Sequence, residues 1–126
     1  YFEKALVYNP YYATLEINLG IVTSAMGDAK SADEHFQKAL RLQPRYAEGH
    51  YFYARWLKER ERFDEAVLHA EEAIAISPAL ILSRDLLMDL YAVKGEDEKL
   101  NALVRSTLAL WPENPKAKSY ARRIHP

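Results

Sequence analysis

The sequence predicts an all-α fold in which helix-turn-helix units stack into an α-solenoid. Three observations carry this. Four of the six prolines, Pro10, Pro44, Pro78 and Pro112, follow one another at intervals of 34 residues. Other residues keep the same register: Leu6, Leu40, Ile74 and Leu108 lie four before their proline, and Ala5, Ala39 and Ala73 five before. No segment shows the apolar–polar alternation of a half-buried strand. A fixed period of this length marks a repeat array.

The elements follow in order. Residues 1–12 read as the latter part of a repeat, through Phe2, Ala5 and Pro10. The first full unit is 13–46. Leu15, Leu19 and Val22, with Ile17, Ile21 and Ala25, give the spacing of a helix. Gly27-Asp28 supplies a turn, because glycine takes positive φ without penalty. Ala32, Phe36, Ala39 and Leu40 form a second apolar stripe, and Pro44 ends that helix. Gly20, Ala32 and Ala39 are small where the two helices would cross, which permits close approach. Units 47–80 and 81–114 repeat the plan, the second less faithfully: Leu100 and Thr107 replace its small positions and predict looser helix spacing. The last segment, 115–126, reads as a capping helix. Asn114 can cap it and Pro115 suits its first position. Ala117, Tyr120, Ala121 and Ile124 make an apolar face. Lys116, Lys118, Arg122 and Arg123 make a basic one, readable as a solvated cap or as a docking patch. One helix pair cannot bury its own apolar face; stacking on the next completes the core.

Composition bounds the function. With 49% hydrophobic and 28% charged residues in 126, the chain is ordinary globular material. Its 17 basic and 18 acidic residues nearly balance, so the surplus needed for non-specific nucleic-acid binding is absent. There is no cysteine, hence no disulfide, thiol catalysis or cysteine-based zinc site. No apolar run is long enough to insert in a membrane. Tyr1 falls in the middle of a repeat's second helix. The expectation is a protein that continues upstream, with Phe2 and Leu6 uncovered and available for self-association.

These residues resemble the tetratricopeptide repeat family. Residues 13–46 match its pattern through Leu19-Gly20, Ala32, Phe36, Ala39 and Pro44, and 47–80 through Tyr53-Ala54, Ala66, Ala73 and Pro78. Residues 81–114 are a degenerate copy with Leu87, Tyr91, Gly95 and Pro112. The resemblance implies a right-handed superhelical array and a protein or peptide partner. It names no partner.

Chemistry beyond binding finds little support. The sequence has no Gly-x-Ser-x-Gly, no His-Glu-x-x-His and no phosphate-cradling glycine loop, so no catalytic residue, metal site or cofactor is assigned. His35 and His69 occupy equivalent positions without an evident third metal ligand, and read as outer-surface residues. Glu16, His50, Arg84 and Lys118 share one repeat position that normally holds a large aromatic residue; stacking would align them as a polar ladder with a Glu16–His50 contact.

The family places ligand contacts on the first helix of each repeat. Carried over, they fall on Thr14, Ile17, Asn18 and Ile21, then Glu48, Tyr51, Phe52 and Arg55, then Leu82, Asp85, Leu86 and Asp89. The strongest candidates for a concave groove are Asn18, Ile21, Tyr51, Phe52, Arg55, Leu82, Asp85, Leu86 and Asp89. Tyr51 and Phe52 read equally as contacts or as packing between repeats. The family's dicarboxylate clamp needs Lys, Asn and Arg where this chain has Ile17, Ile21, Phe52, Leu82 and Leu86, so no such clamp is expected. The functional expectation is an interaction module that binds a peptide or partner helix. The alternatives are an accessory domain of a larger enzyme, such as a bacterial glycosyltransferase, and a structural or self-association spacer.

Overall fold

A computed structural model describes residues 10–124. Phe2, Ala5, Leu6 and His125 lie outside the described residues, and with them the expected half repeat and its apolar end. Seven helices follow: α1 Pro10–Ala25, α2 Ala29–Leu42, α3 Ala47–Glu59, α4 Phe63–Ile76, α5 Ile81–Lys94, α6 Asp97–Leu110 and α7 Pro115–Ile124. Among the described residues there is no strand.

Consecutive helices pack as antiparallel pairs, α1 with α2, α3 with α4, α5 with α6. The pairs form two layers. In one layer α1, α3, α5 and α7 touch in succession; the other holds α2, α4 and α6, whose members stand further apart. Closer spacing in the first layer curves the stack toward it. That layer therefore lines the inner face.

The helix stops and starts have local causes. Asp28 caps α2 by accepting the Ser31 N–H at 3.1 Å. Asn114 caps α7, its Oδ1 accepting the Ala117 N–H at 2.8 Å, and Pro115 opens the helix as its sequence position suggests. Pro10 begins α1, whereas the period placed the start of this unit at residue 13. The turns inside the three pairs carry positive φ at Gly27, Glu61 and Gly95, again 34 residues apart. Two of these turns use glycine; the middle one imposes the same conformation on a glutamate.

Small residues sit at the crossings. Ala32, Ala39, Ala66 and Ala73 are fully buried. A Cβ on Gly20 would lie 3.1 Å from the Phe36 ring, so glycine lets α1 approach α2. Phe36 itself is buried and stacks on Tyr53 at 5.5 Å and packs against Trp56 at 5.6 Å, which joins the first repeat to the second. In the third pair Leu100 and Thr107 are buried at the crossing, and α5 and α6 approach each other far less than the first two pairs do. The predicted looseness is present. Its cause is side-chain volume where the other repeats have alanine.

The apolar periodicity of α1 was misleading in one respect. Ala13, Glu16, Ile17 and Gly20 form its buried face, while Leu15, Ile21 and Val22 are exposed. A helix apolar all round gives no directional signal, so the sequence alone could not choose the face.

Candidate functional site

The inner face is built from α1, α3 and α5. Phe36, reaching up from α2, floors a cavity of about 220 Å³ between α1 and α3. Ile21 and Ala25 form one wall, Phe52 and Trp56 the other, and Arg55 and Glu59 stand on the rim. Trp56 donates its indole N–H to Ser24 Oγ at 2.8 Å, so the polar atom of this wall is satisfied across the α1–α3 junction. Trp56 is buried and belongs to the core.

The predicted contact residues separate into three groups. Asn18, Ile21, Arg55 and Leu82 are exposed, and Phe52 is half-buried. Tyr51 and Leu86 are each 9% exposed and serve mainly the core. Arg55 ties the aromatic pair together: its guanidinium lies 5.1 Å from the Phe52 ring centre and 5.8 Å from that of Tyr51. Asp85 and Asp89 are engaged by α7. Asp89 accepts from Lys116 Nζ at 2.5 Å and from the Tyr120 hydroxyl at 2.6 Å; Asp85 accepts from Asn114 Nδ2 at 3.4 Å. Burial, reinforced by the Asp89 carboxylate, pushes the Tyr120 hydroxyl up to about 12. Burial also raises Asp85. The acidic end of the inner face thus anchors the last helix. Of the basic residues of α7, Lys116 is paired with Asp89 and Lys118 with Glu113.

The polar ladder takes a different form from the one expected. Glu16, His50 and Arg84 are buried, but they do not contact one another along the stack. Each bonds to the second helix of its own pair, and His50 and Arg84 also reach the carbonyl of the proline that ends the preceding repeat. Glu16 pairs with His35 at 2.6 Å and Lys38 at 3.2 Å. His50 meets His69 with their Nδ1 atoms 3.0 Å apart and donates Nε2–H to the Pro44 carbonyl at 2.8 Å. Arg84 donates to the Pro78 carbonyl at 2.7 Å, to Ser106 Oγ at 2.9 Å and to Thr107 Oγ1 at 3.2 Å. The physical reason is reach: the second helix of the same pair packs directly over this position, while the next first helix lies a full helix diameter away. His35 and His69 are accordingly not solvated surface residues. They are the partners of this buried row. Desolvation, then the neighbouring His50, holds His69 down at about 4. Among the described residues no cluster of three potential ligands could hold a metal ion.

Sequence reasoning missed the bonds that join repeats. Tyr53 donates its hydroxyl to Asp33, which also accepts from Gln37 at 3.1 Å and Arg62 at 3.4 Å. Burial acts to raise the Asp33 carboxyl, but these donors and the Arg62 charge outweigh it and hold it low. Tyr91 donates to Glu71 at 2.5 Å in the same sense, from a first helix back to the preceding second helix. Both pairs are 20 residues apart, a spacing that would have flagged them.

The family model described as tetratricopeptide repeat matches residues 11–79. None of the curated proteins matches the sequence. Among solved structures, the N-terminal domain of stress-induced protein-1 (STI-1) from C. elegans superposes with a TM-score of 0.82 at 16% identity, over 93% of this chain and 97% of that one. The TPR domain of Arabidopsis OM64 gives 0.77 at 18% identity, over 90% and 94%. The first TPR of Spaghetti (RPAP3), solved bound to the HSP90 peptide SRMEEVD, gives 0.80 at 16% identity, over 92% of each chain. At these identities the likeness is one of fold. With the 34-residue period, the paired helices and a family match over more than half its length, the chain belongs to the tetratricopeptide repeat family.

Proposed function

We propose that this chain is a protein-interaction module that holds a peptide or a partner helix along the inner face formed by α1, α3 and α5. The observation that carries the reading is the α1–α3 cleft: apolar walls from Ile21 and Phe52, with an aromatic-stacked Arg55 at the rim. Rigid aromatic area and a pre-oriented guanidinium are what interface centres use. The Spaghetti (RPAP3) domain of similar fold is bound to a peptide, which supports the class of partner.

The ligand is not a chain end with two carboxylates. Ile17 and Leu86 are buried apolar side chains, and Ile21, Phe52 and Leu82 offer no donor. An apolar or amphipathic partner suits this surface. The test is an unbiased peptide-display selection against the protein, with Ile21→Glu as the counter-target. Peptides enriched on the first and lost on the second support the reading, provided both proteins give the same helical circular dichroism. Peptides that bind both equally contradict it.

A further inference from the structure

The α1–α3 cleft has a charge order as well as a shape. Its volume of about 220 Å³ falls below the roughly 300–1,000 Å³ of small-molecule pockets and suits a single apolar side chain. Arg55 and Glu59 stand on its rim one helical turn apart. They do not neutralise each other. Arginine preceding glutamate at this spacing is the weaker order for a pair within a helix. Side chains on a helix also lean toward its N-terminus, and Arg55 does so, lying over Phe52 and Tyr51 and away from Glu59. Among the described residues neither Arg55 nor Glu59 enters an ion pair, although Arg62, Lys94, Lys116 and Lys118 all do. Two unpaired charges of opposite sign therefore flank a cavity walled by Ile21, Ala25, Phe36, Phe52 and Trp56, with Ser24 the polar residue within it.

We infer that this cleft binds an amphipathic helix of a partner protein. One apolar side chain enters the cavity, an acidic residue meets Arg55 and a basic residue one turn away meets Glu59. A guanidinium that lies over an aromatic ring and has no ion-pair partner can still offer two N–H groups to a carboxylate. The partner's turn spacing matches that between Arg55 and Glu59 because both are helices. The chain's net charge is −1, so any preference must come from this local pair and not from a general field. The inference rests on the inner-face reading above and adds charge order to it.

Three fluorescein-labelled helical peptides test it by anisotropy. They share one leucine stripe and differ only in the residues flanking its centre: Glu with Lys, Glu with Glu, or Lys with Lys. The wild-type chain is expected to bind the mixed peptide about tenfold tighter than either like-charged one. Arg55→Glu makes both rim charges negative and is expected to prefer the doubly basic peptide. Glu59→Lys is expected to prefer the doubly acidic one. Both residues are exposed, and a thermal melt confirms that each variant is folded. If all three peptides bind wild type within about twofold of one another and neither variant changes the ranking, the charge-order inference is overturned. Their loss on Ile21→Glu would then still uphold the inner-face reading. If no peptide binds wild type better than it binds Ile21→Glu, both readings fall.

Discussion

His50 and His69 face each other across the second repeat with their Nδ1 atoms 3.0 Å apart and their rings stacked. His50 Nε2–H is committed to the Pro44 carbonyl, so in the neutral pair His69 Nδ1 carries the shared hydrogen and His50 Nδ1 accepts it. This pair ties the proline loop that ends the first repeat to both helices of the second.

The pair predicts an acid-sensitive fold. His69 is held at about 4 by burial and then by His50, against an ordinary 6.5. Between those values the unfolded chain binds a proton there and the folded chain does not. Stability contributed by the neutral pair is complete above about pH 6.5 and is lost as pH falls toward 4. Urea melts of wild type and His69→Gln across this range check it. The variant should show a flatter dependence; identical slopes would assign the acid sensitivity elsewhere.

A second prediction concerns the turn at Glu61. Its φ of 60° is the left-handed conformation that Gly27 and Gly95 supply in the neighbouring repeats. Glu61→Gly should stabilise the chain by about 1 kcal/mol by removing the Cβ penalty. An unchanged denaturation midpoint would mean that the turn carries no such strain.

The opposite substitution at Gly20 should destabilise. An added Cβ meets Phe36 at 3.1 Å, and the Phe36 ring, packed against Tyr53 and Trp56, must shift to admit it. Overpacking of this kind costs about 1–3 kcal/mol, against about 1 kcal/mol gained in helix propensity. Gly20→Ala is therefore expected to lose about 1 kcal/mol net, and a gain in melting temperature would show that the crossing is looser than described.

Much of this was legible in the sequence, and the rest was hidden for definite reasons. The prolines that follow α2, α4 and α6, the small residues at crossings and the Asn114-Pro115 cap are local signals, and each stands where its spacing placed it; Pro10 instead opens α1. The looser third repeat followed from Leu100 and Thr107 in the same way. Orientation was not legible. Glu16, His50 and Arg84 were recognisable as equivalent, but whether they bond along the stack or across the pair depends on interhelix distance. Asp85 and Asp89 sit at contact positions of the family pattern, yet α7 claims both, and nothing in their own neighbourhood reveals a helix arriving from nearly 30 residues later.

That claim yields a fourth prediction. Asp89→Ala removes the acceptor for Lys116 and Tyr120 and should loosen α7 selectively, at a cost of about 1–2 kcal/mol. Amide exchange across residues 115–124 should quicken while α3 and α4 keep their protection. Uniform loss of protection would instead make α7 part of a single cooperative core.

Recognition on the inner face is open to amide chemical-shift mapping with a display-selected peptide. The largest shifts are expected at Ile21, Phe52, Arg55 and Glu59, with α2, α4 and α6 little changed. Shifts concentrated on the second-helix layer, for instance around Lys99, Ala102 and Ser106, would contradict it.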